Sequence, residues 1–73
     1  MELTALPIGK SAIIAGLKAK GLMRRRLLDL GLVPATTIEA VRRSPAGDPV
    51  AYRVRGTVIA LRAEESRLIT VRP

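Results

Sequence analysis

Residues 21–34 read GLMRRRLLDLGLVP, and this stretch decides the fold because the spacing of apolar residues changes here. Its apolar residues recur at i, i+4 and i+7, on one face of an amphipathic helix, at Met23, Leu27 and Leu30. Gly31 follows the last of them, where a left-handed C-cap is common, and Pro34 prevents the helix from resuming. We therefore predict a helix over residues 21–30.

Short strands are predicted on both sides of this helix. Residues 1–10 are predicted to be an extended entry segment with a turn at residues 6–9, and Ser11–Leu17, rich in Ile and Ala, to form the first strand. After the helix, the predicted elements are strands over residues 36–43, 50–55, 58–62 and 67–72 and one helical turn over residues 63–66. Five short strands in 73 residues favour a small barrel, closed or nearly closed, because closure removes exposed sheet edges. A chain of this length has room for one domain, residues 1–73.

The composition argues against catalysis and against a resident metal or cofactor. The chain contains no Cys and no His, which are common transition-metal ligands and the usual members of nucleophile–base pairs. No glycine-rich phosphate loop precedes the helix, and the one pair of adjacent carboxylates, Glu64 and Glu65, is expected to point apart. We predict a non-catalytic protein with no catalytic residues, no metal site and no cofactor.

The charge favours an acidic partner. Thirteen Lys and Arg oppose six Asp and Glu, and the formal net charge of +7 attracts nucleic acid, anionic lipid or an acidic protein face. The densest run, residues 24–26, fans around the predicted helix because successive residues are about 100° apart. Such a run is either a solvated helix face or an anchor for a partner's carboxylates or phosphates.

Two candidate partner-binding surfaces follow from these positions. The first, on the helix, comprises Arg24, Arg25, Leu28 and Asp29. Its leucine lies off the buried stripe and is either an apolar anchor or a rim residue packed beside the core. The second, on the polar face of the alternating strand over residues 50–55, comprises Arg53 and Arg55.

A basic nucleic-acid-binding barrel is an alternative interpretation. Further arginines lie close to the second surface across the predicted sheet and extend its positive charge, at Arg42, Arg43 and Arg62. Barrels that bind single strands stack bases on aromatic side chains, and the only aromatic residue, Tyr52, is predicted on the opposite face of its strand. The sequence therefore disfavours nucleic acid as the partner.

Nearly the whole chain resembles the FeoA family. The segment RRRLLDLGLVP at residues 24–34 is similar to the family's signature helix and turn. The likeness continues in order through Ile38 and Glu39, VRRSP at 41–45, GDP at 47–49, YRVRG at 52–56 and ALR at 60–62 with Glu64 and Glu65. It also includes LPIG at 6–9 with Ala12 and Ile13, before and within the first predicted strand.

The resemblance implies a mainly β fold, a small SH3-like five-stranded barrel with a helical insertion after the first strand. It also implies an accessory or regulatory role in bacterial ferrous-iron uptake, with the cytosolic, G-protein-containing region of a FeoB-type transporter as the partner. The family supplies a further alternative, because FeoA-like domains also act as regulatory parts of metal-dependent transcriptional repressors.

The chain is expected in the cytoplasm. Its longest apolar run near the start, Ala12–Leu17, is far short of the ~20 residues that span a bilayer, and the N-terminus opens Met1-Glu2-Leu3 without the basic residues that begin a signal peptide. We predict no membrane insertion and a position at the inner membrane only through the transporter. A homo-oligomer stays open, because a small barrel with an unpaired edge can self-associate.

One residue departs from the family pattern. A glycine usually follows the Val-Pro of this motif, whereas here Ala35 follows Pro34. If the backbone at this position has a positive φ, the alanine strains the turn by roughly 1 kcal/mol.

Overall fold

Alternating apolar residues and one segment of helical period produce the elements seen in the computed structural model, which describes all 73 residues. In chain order they are a 3-10 turn at Leu3–Ala5, β1 at Ser11–Leu17, α1 at Gly21–Asp29, β2 at Thr37–Arg43, β3 at Val50–Val54, β4 at Thr57–Leu61, α2 at Ala63–Ser66 and β5 at Ile69–Arg72. The predicted mainly β fold with a helical insertion after the first strand is confirmed.

The prediction of an extended entry segment is wrong for Leu3–Ala5, which forms the 3-10 turn. The backbone N–H of Leu6 donates to the carbonyl oxygen of Leu3 at 3.0 Å. Residues three apart in a 3-10 turn lie on the same side, so Leu3 and Leu6 can both enter the core, and both are buried. Burial of the two leucines accounts for the departure from an extended chain.

The strands form one antiparallel sheet in the order β4-β3-β2-β1-β5. The outer strands β4 and β5 do not pair with each other, so the sheet is open and the predicted closure is not reached. The N-terminus covers the β5 edge: the amino group of Met1 donates to the carbonyl oxygen of Val71 at 3.0 Å, and the Val71 N–H donates to the Met1 carbonyl oxygen at 2.8 Å. The β4 edge has no such cover.

The core lies on one face of the sheet and is aliphatic except for Tyr52. In β3 the buried residues Val50, Tyr52 and Val54 alternate with half-buried Ala51 and exposed Arg53, as the sequence predicts. The helix joins this core through Leu27, which has no exposed surface. The largest of the fully buried side chains are Leu3, Ile14, Leu27, Leu32, Ile38, Val54, Leu61, Ile69 and Val71.

The C-terminal end of α1 is fixed by a Schellman motif. The Leu32 N–H donates to the carbonyl oxygen of Leu27 at 3.1 Å, and the Gly31 N–H donates to that of Leu28 at 3.0 Å. The motif requires a left-handed residue, and Gly31 has a φ of 99°. Leu27 and Leu32 are both fully buried, which supplies the apolar contact that usually accompanies this motif. The predicted glycine C-cap is confirmed, with the helix ending one residue early, at Asp29.

Ala35 has a φ of 74°, as the family's glycine at this position led us to expect. The conformation points its N–H to the carbonyl oxygen of Ile14 in β1, at 2.7 Å. The alanine therefore keeps a hydrogen bond to the sheet at the cost of a strained backbone.

We expect Ala35→Gly to raise the free energy of unfolding by about 0.5–1 kcal/mol, because glycine adopts a positive φ without steric cost. Urea unfolding of the two proteins measures the difference. Ala46→Gly is the matched control, since Ala46 is also an exposed loop alanine but has no positive φ. The control variant should be neutral or less stable, because glycine there only adds entropy to the unfolded chain. Equal effects of the two substitutions would contradict strain at Ala35.

Candidate protein-binding surface on helix α1

The folded chain leaves most of its positive charge without a partner. Five of its six Asp and Glu side chains pair with a Lys or Arg, in the pairs Glu2–Lys18, Asp29–Arg25, Glu39–Arg53, Asp48–Arg62 and Glu65–Arg26. Eight of the 13 Lys and Arg therefore have no carboxylate partner. This surplus makes the surface a suitable one for an acidic protein face.

The three consecutive arginines of α1 have different environments. Arg26 forms an ion pair with Glu65 of α2, whose side chain is only 10% exposed. Arg25 lies 4.0 Å from Asp29 one turn later, with both side chains largely exposed, and Arg24 has no carboxylate partner. Arg26 therefore ties α1 to α2, whereas the side chains of Arg24 and Arg25 are exposed to solvent.

The carboxylate of Glu65 also accepts a hydrogen bond from the backbone N–H of Arg62, at 3.1 Å, at the start of α2. This contact caps the short helix. Removing Arg26 would leave a nearly buried carboxylate without its cation, which is costly.

We expect Arg26→Ala to lower the free energy of unfolding by about 1–2 kcal/mol, because Glu65 loses its cation. The loss is smaller than for a fully buried pair, since the half-exposed arginine is screened by solvent. The adjacent substitution Arg25→Ala should cost under about 0.5 kcal/mol, as for an exposed i, i+4 pair. Urea unfolding of both variants makes the comparison. Similar losses for the two would mean that the Glu65 contact adds no stability.

The apolar part of the surface differs from the prediction. Leu28 is half-buried, as a rim leucine would be, and the fully exposed leucine of α1 is Leu22, at 89%. Leu22, Arg25 and Asp29 lie at i, i+3 and i+7, which places them on one side of the helix. The helical period was therefore sufficient to find Leu22, which the sequence analysis did not single out.

The second predicted surface is divided in the structure. Arg53 lies in β3 and its guanidinium donates to Glu39 of the neighbouring strand, at 2.7 Å. Arg55 was predicted to share its strand face, but β3 ends at Val54 and Arg55 lies in the two-residue turn before β4, with a φ of 53°. Positive φ at both turn residues is typical of a type I′ hairpin, and Gly56 supplies the second.

The hairpin turn carries Arg55 to the end of α1. A Cβ atom placed on Gly31 would lie 3.6 Å from Cδ of Arg55 and 3.7 Å from Cγ1 of Val54, so the arginine stem lies over the Schellman glycine. A cation at the C-terminal end of a helix is favourably placed with respect to the helix dipole. We call the resulting surface the α1 face; its residues are Leu22, Arg24, Arg25, Leu28, Asp29 and Arg55.

Tyr52 does not provide a platform for nucleic-acid bases. Its side chain is 2% exposed and lines a cavity of about 120 Å³ together with Ser66. Burial raises the pKa of Tyr52 above its ordinary value of 10.0, and the Ser66 contact opposes this only in part. Barrels that bind single strands stack the bases on exposed aromatic side chains, and this chain has none.

We expect the free energy of unfolding to fall as the pH rises above about 10, because Tyr52 loses its proton more readily in the unfolded chain than in the core. Below that pH both states keep the proton and the effect vanishes. Absorbance of the tyrosinate near 295 nm reports this side chain alone, since the chain has one tyrosine. A titration with the ordinary tyrosine pKa in the folded protein would contradict this prediction, and Tyr52→Phe should remove the tyrosine contribution to the pH dependence.

No group of three or more Asp or Glu side chains is placed to hold a metal ion. None of the helices combines the length and the apolar character needed to cross a membrane.

Comparison with known proteins gives one consistent result. Residues 1–73 match the sequence profile described as the FeoA domain. A Porphyromonas gingivalis protein named Fe(2+) transport protein A/Fe(2+) transporter FeoB fusion protein is 37% identical over 71 residues, which are 97% of this chain. The chain spans only 8% of the length of that relative.

Two solved structures show the same fold. The solution structure of iron(II) transport protein A from Clostridium thermocellum has a TM-score of 0.94 and 36% identity, over 99% of this chain and 44% of that one. The crystal structure of Stenotrophomonas maltophilia FeoA complexed with zinc has a TM-score of 0.85 and 32% identity, over 97% and 88% of the two chains. That protein is described as a procaryotic SH3 domain protein and as a candidate ferrous iron transport activating factor, and the predicted SH3-like class is confirmed.

Proposed function

This chain belongs to the FeoA domain family, and from that premise we propose that it is a non-catalytic accessory protein of ferrous-iron uptake that binds the cytosolic, G-protein-containing region of a FeoB-type transporter. The proposal rests on the Porphyromonas gingivalis relative, whose name describes a fusion of Fe(2+) transport protein A with the Fe(2+) transporter FeoB. A domain joined covalently to a transporter meets it at a high effective concentration, so even a weak contact would be occupied. We place the contact in the cytoplasm, at the membrane.

The α1 face is the proposed contact surface. It presents Leu22 as an exposed apolar anchor beside Arg25, whose pair with Asp29 is long and exposed, and the unpaired Arg24 lies further round the helix. Interfaces combine such an apolar centre with arginine, which binds carboxylates through two parallel hydrogen bonds. The helix beneath this face is held in place by the packing of its apolar side against the core and by the Schellman motif at its C-terminal end. Its backbone therefore loses little conformational entropy on binding.

The test is a calorimetric titration of this protein into the intact FeoB-type transporter of the same organism in lipid nanodiscs, with and without GTP. We expect saturable binding near 1 μM, about −8 kcal/mol. The isolated G-protein region is titrated in parallel, and equal affinity would localise the contact to it. Absence of binding to the intact transporter in both nucleotide states would overturn the proposal.

A further inference from the structure

The outer edge of β4 carries backbone groups with no hydrogen-bond partner. The two-residue turn makes Val54 and Thr57 the closing hydrogen-bonded pair of the β3–β4 hairpin. Hydrogen-bonded and non-hydrogen-bonded pairs alternate along an antiparallel ladder, so Val58 and Ala60 direct their N–H and C=O groups away from β3. No turn, loop or terminal group bonds to either residue.

This edge also lacks the features that usually prevent pairing with another chain. β4 reads TVIAL, with no charged residue and no proline, and Val58 is 51% exposed. The opposite edge of the same sheet is covered, because Met1 and Glu2 pair with β5. The fold therefore protects one edge and leaves the other open.

The outer face of the sheet beside β4 carries an arginine without a counter-charge. A depression of about 410 Å³ beside Ala60 is lined on the outer face of the sheet by Arg42, which has no carboxylate partner. A neighbouring depression beside Ala60 is lined by Arg26, Arg62 and Glu65, which are all paired, and by Glu64, the one carboxylate without a basic partner. The carboxylate of this face, Glu39, is already paired with Arg53. Because β2 lies two strands inside the β4 edge, an added strand would meet Arg42 across the outer face of the sheet and not next to its backbone contacts.

We propose that β4 binds an extended, acidic segment of a partner protein as an additional strand. The backbone groups of Val58 and Ala60 supply the hydrogen bonds, and every second side chain of the segment lies on the outer face of the sheet, where its carboxylates are attracted by Arg42 and by the net charge of +7. A second copy of this chain is the poorer occupant, because each copy carries a net charge of +7 and pairing of two β4 edges brings like charges together. This surface is separate from the α1 face, and the inference does not depend on the partner proposed there.

The experiment uses nitrogen-15-labelled protein and a capped peptide of about eight residues that alternates glutamate with valine or threonine, a length typical of strands. Amide hydrogen exchange is measured residue by residue with and without the peptide. We expect the amides of Val58 and Ala60 to exchange rapidly in the free protein and to become protected at least about tenfold on binding, whereas Ile59 is protected in both states. A peptide with lysine in place of glutamate should bind at least about tenfold more weakly.

Two variants make the test specific. Ala60→Pro removes an N–H that the β3–β4 ladder does not use, so the fold is expected to persist while affinity for the acidic peptide falls about tenfold or more. Arg42→Glu leaves the edge backbone intact and should weaken binding similarly, which keeps the proposal testable if the proline variant fails to fold.

Three results would overturn the inference: peptide binding that leaves Val58 and Ala60 unprotected, equal binding of the lysine peptide, or protection of these amides in the free protein that grows with concentration. The last result would assign the edge to a second copy. None of the three depends on whether the transporter binds the α1 face.

Discussion

Leu27→Ala is expected to lower the free energy of unfolding by about 2–5 kcal/mol, the largest effect of any single substitution considered in this protein. Leu27 has no exposed surface, and it is the residue through which α1 enters the aliphatic core. Its carbonyl oxygen also accepts the Leu32 N–H of the Schellman motif, so the cavity would form where the helix end is fixed. The surrounding side chains can fill such a cavity only in part.

The size of this loss matters because the protein is small. A chain of 73 residues has a total free energy of unfolding of roughly 4–11 kcal/mol, from about 0.05–0.15 kcal/mol per residue. Removing one core leucine therefore takes a large share of the stability, and no aromatic residue other than Tyr52 is present to compensate.

The neighbouring leucine is the control for this prediction. Leu28→Ala removes the same atoms from a half-buried position and should cost about 1 kcal/mol or less, since less apolar surface returns to water. Urea unfolding followed by circular dichroism gives both values. Equal losses at the two positions would mean that the packing of α1 differs from the described one.

The helical period predicted which leucine of this pair is buried, and this shows how far local pattern extends. Spacing alone places Leu27 on the buried stripe and Leu28 off it, and glycine chemistry places the helix end at Gly31. Local rules also predicted the strands to within about two residues. Arg55, predicted as the last residue of its strand, lies outside β3 because the hairpin turn needs a positive φ there.

Contacts between distant parts of the chain were not predictable in the same way. The pairing of Arg26 with Glu65 depends on how α1 and α2 meet, and nothing in the sequence spacing of the two residues indicates it. The open β4 edge depends on the strand order, which hydrophobic alternation leaves undetermined. Ala35 is an intermediate case: the family pattern indicated the unusual backbone, and the structure supplies its reason in the hydrogen bond to Ile14.

The combined substitution Leu22→Glu and Arg25→Glu is expected to weaken binding to the proposed FeoB-type transporter about 100-fold, or about 2.7 kcal/mol. It removes the exposed apolar anchor of the α1 face and reverses the charge beside it. Stability should change little, because both side chains are exposed and glutamate in place of Leu22, in the first turn of α1, is favoured by the helix dipole. Loss of the Arg25–Asp29 pair and repulsion between the new carboxylate and Asp29 should cost only about 0.5–1 kcal/mol. Calorimetric titration measures the affinity, and urea unfolding confirms the fold.

A matched control separates this surface from a general effect of charge. Ile8→Glu with Lys10→Glu also replaces one exposed apolar residue and reverses one positive charge, but it lies before β1, whereas α1 follows the other end of that strand. If attraction by net charge alone holds the complex together, the two double variants, which carry equal net charge, would weaken binding equally and the α1 face would have no special role. If the partner binds the α1 face, only the α1 variant loses the apolar centre of the interface, from which solvent must be excluded. The control variant should then bind with an affinity within a few-fold of that of the unsubstituted protein.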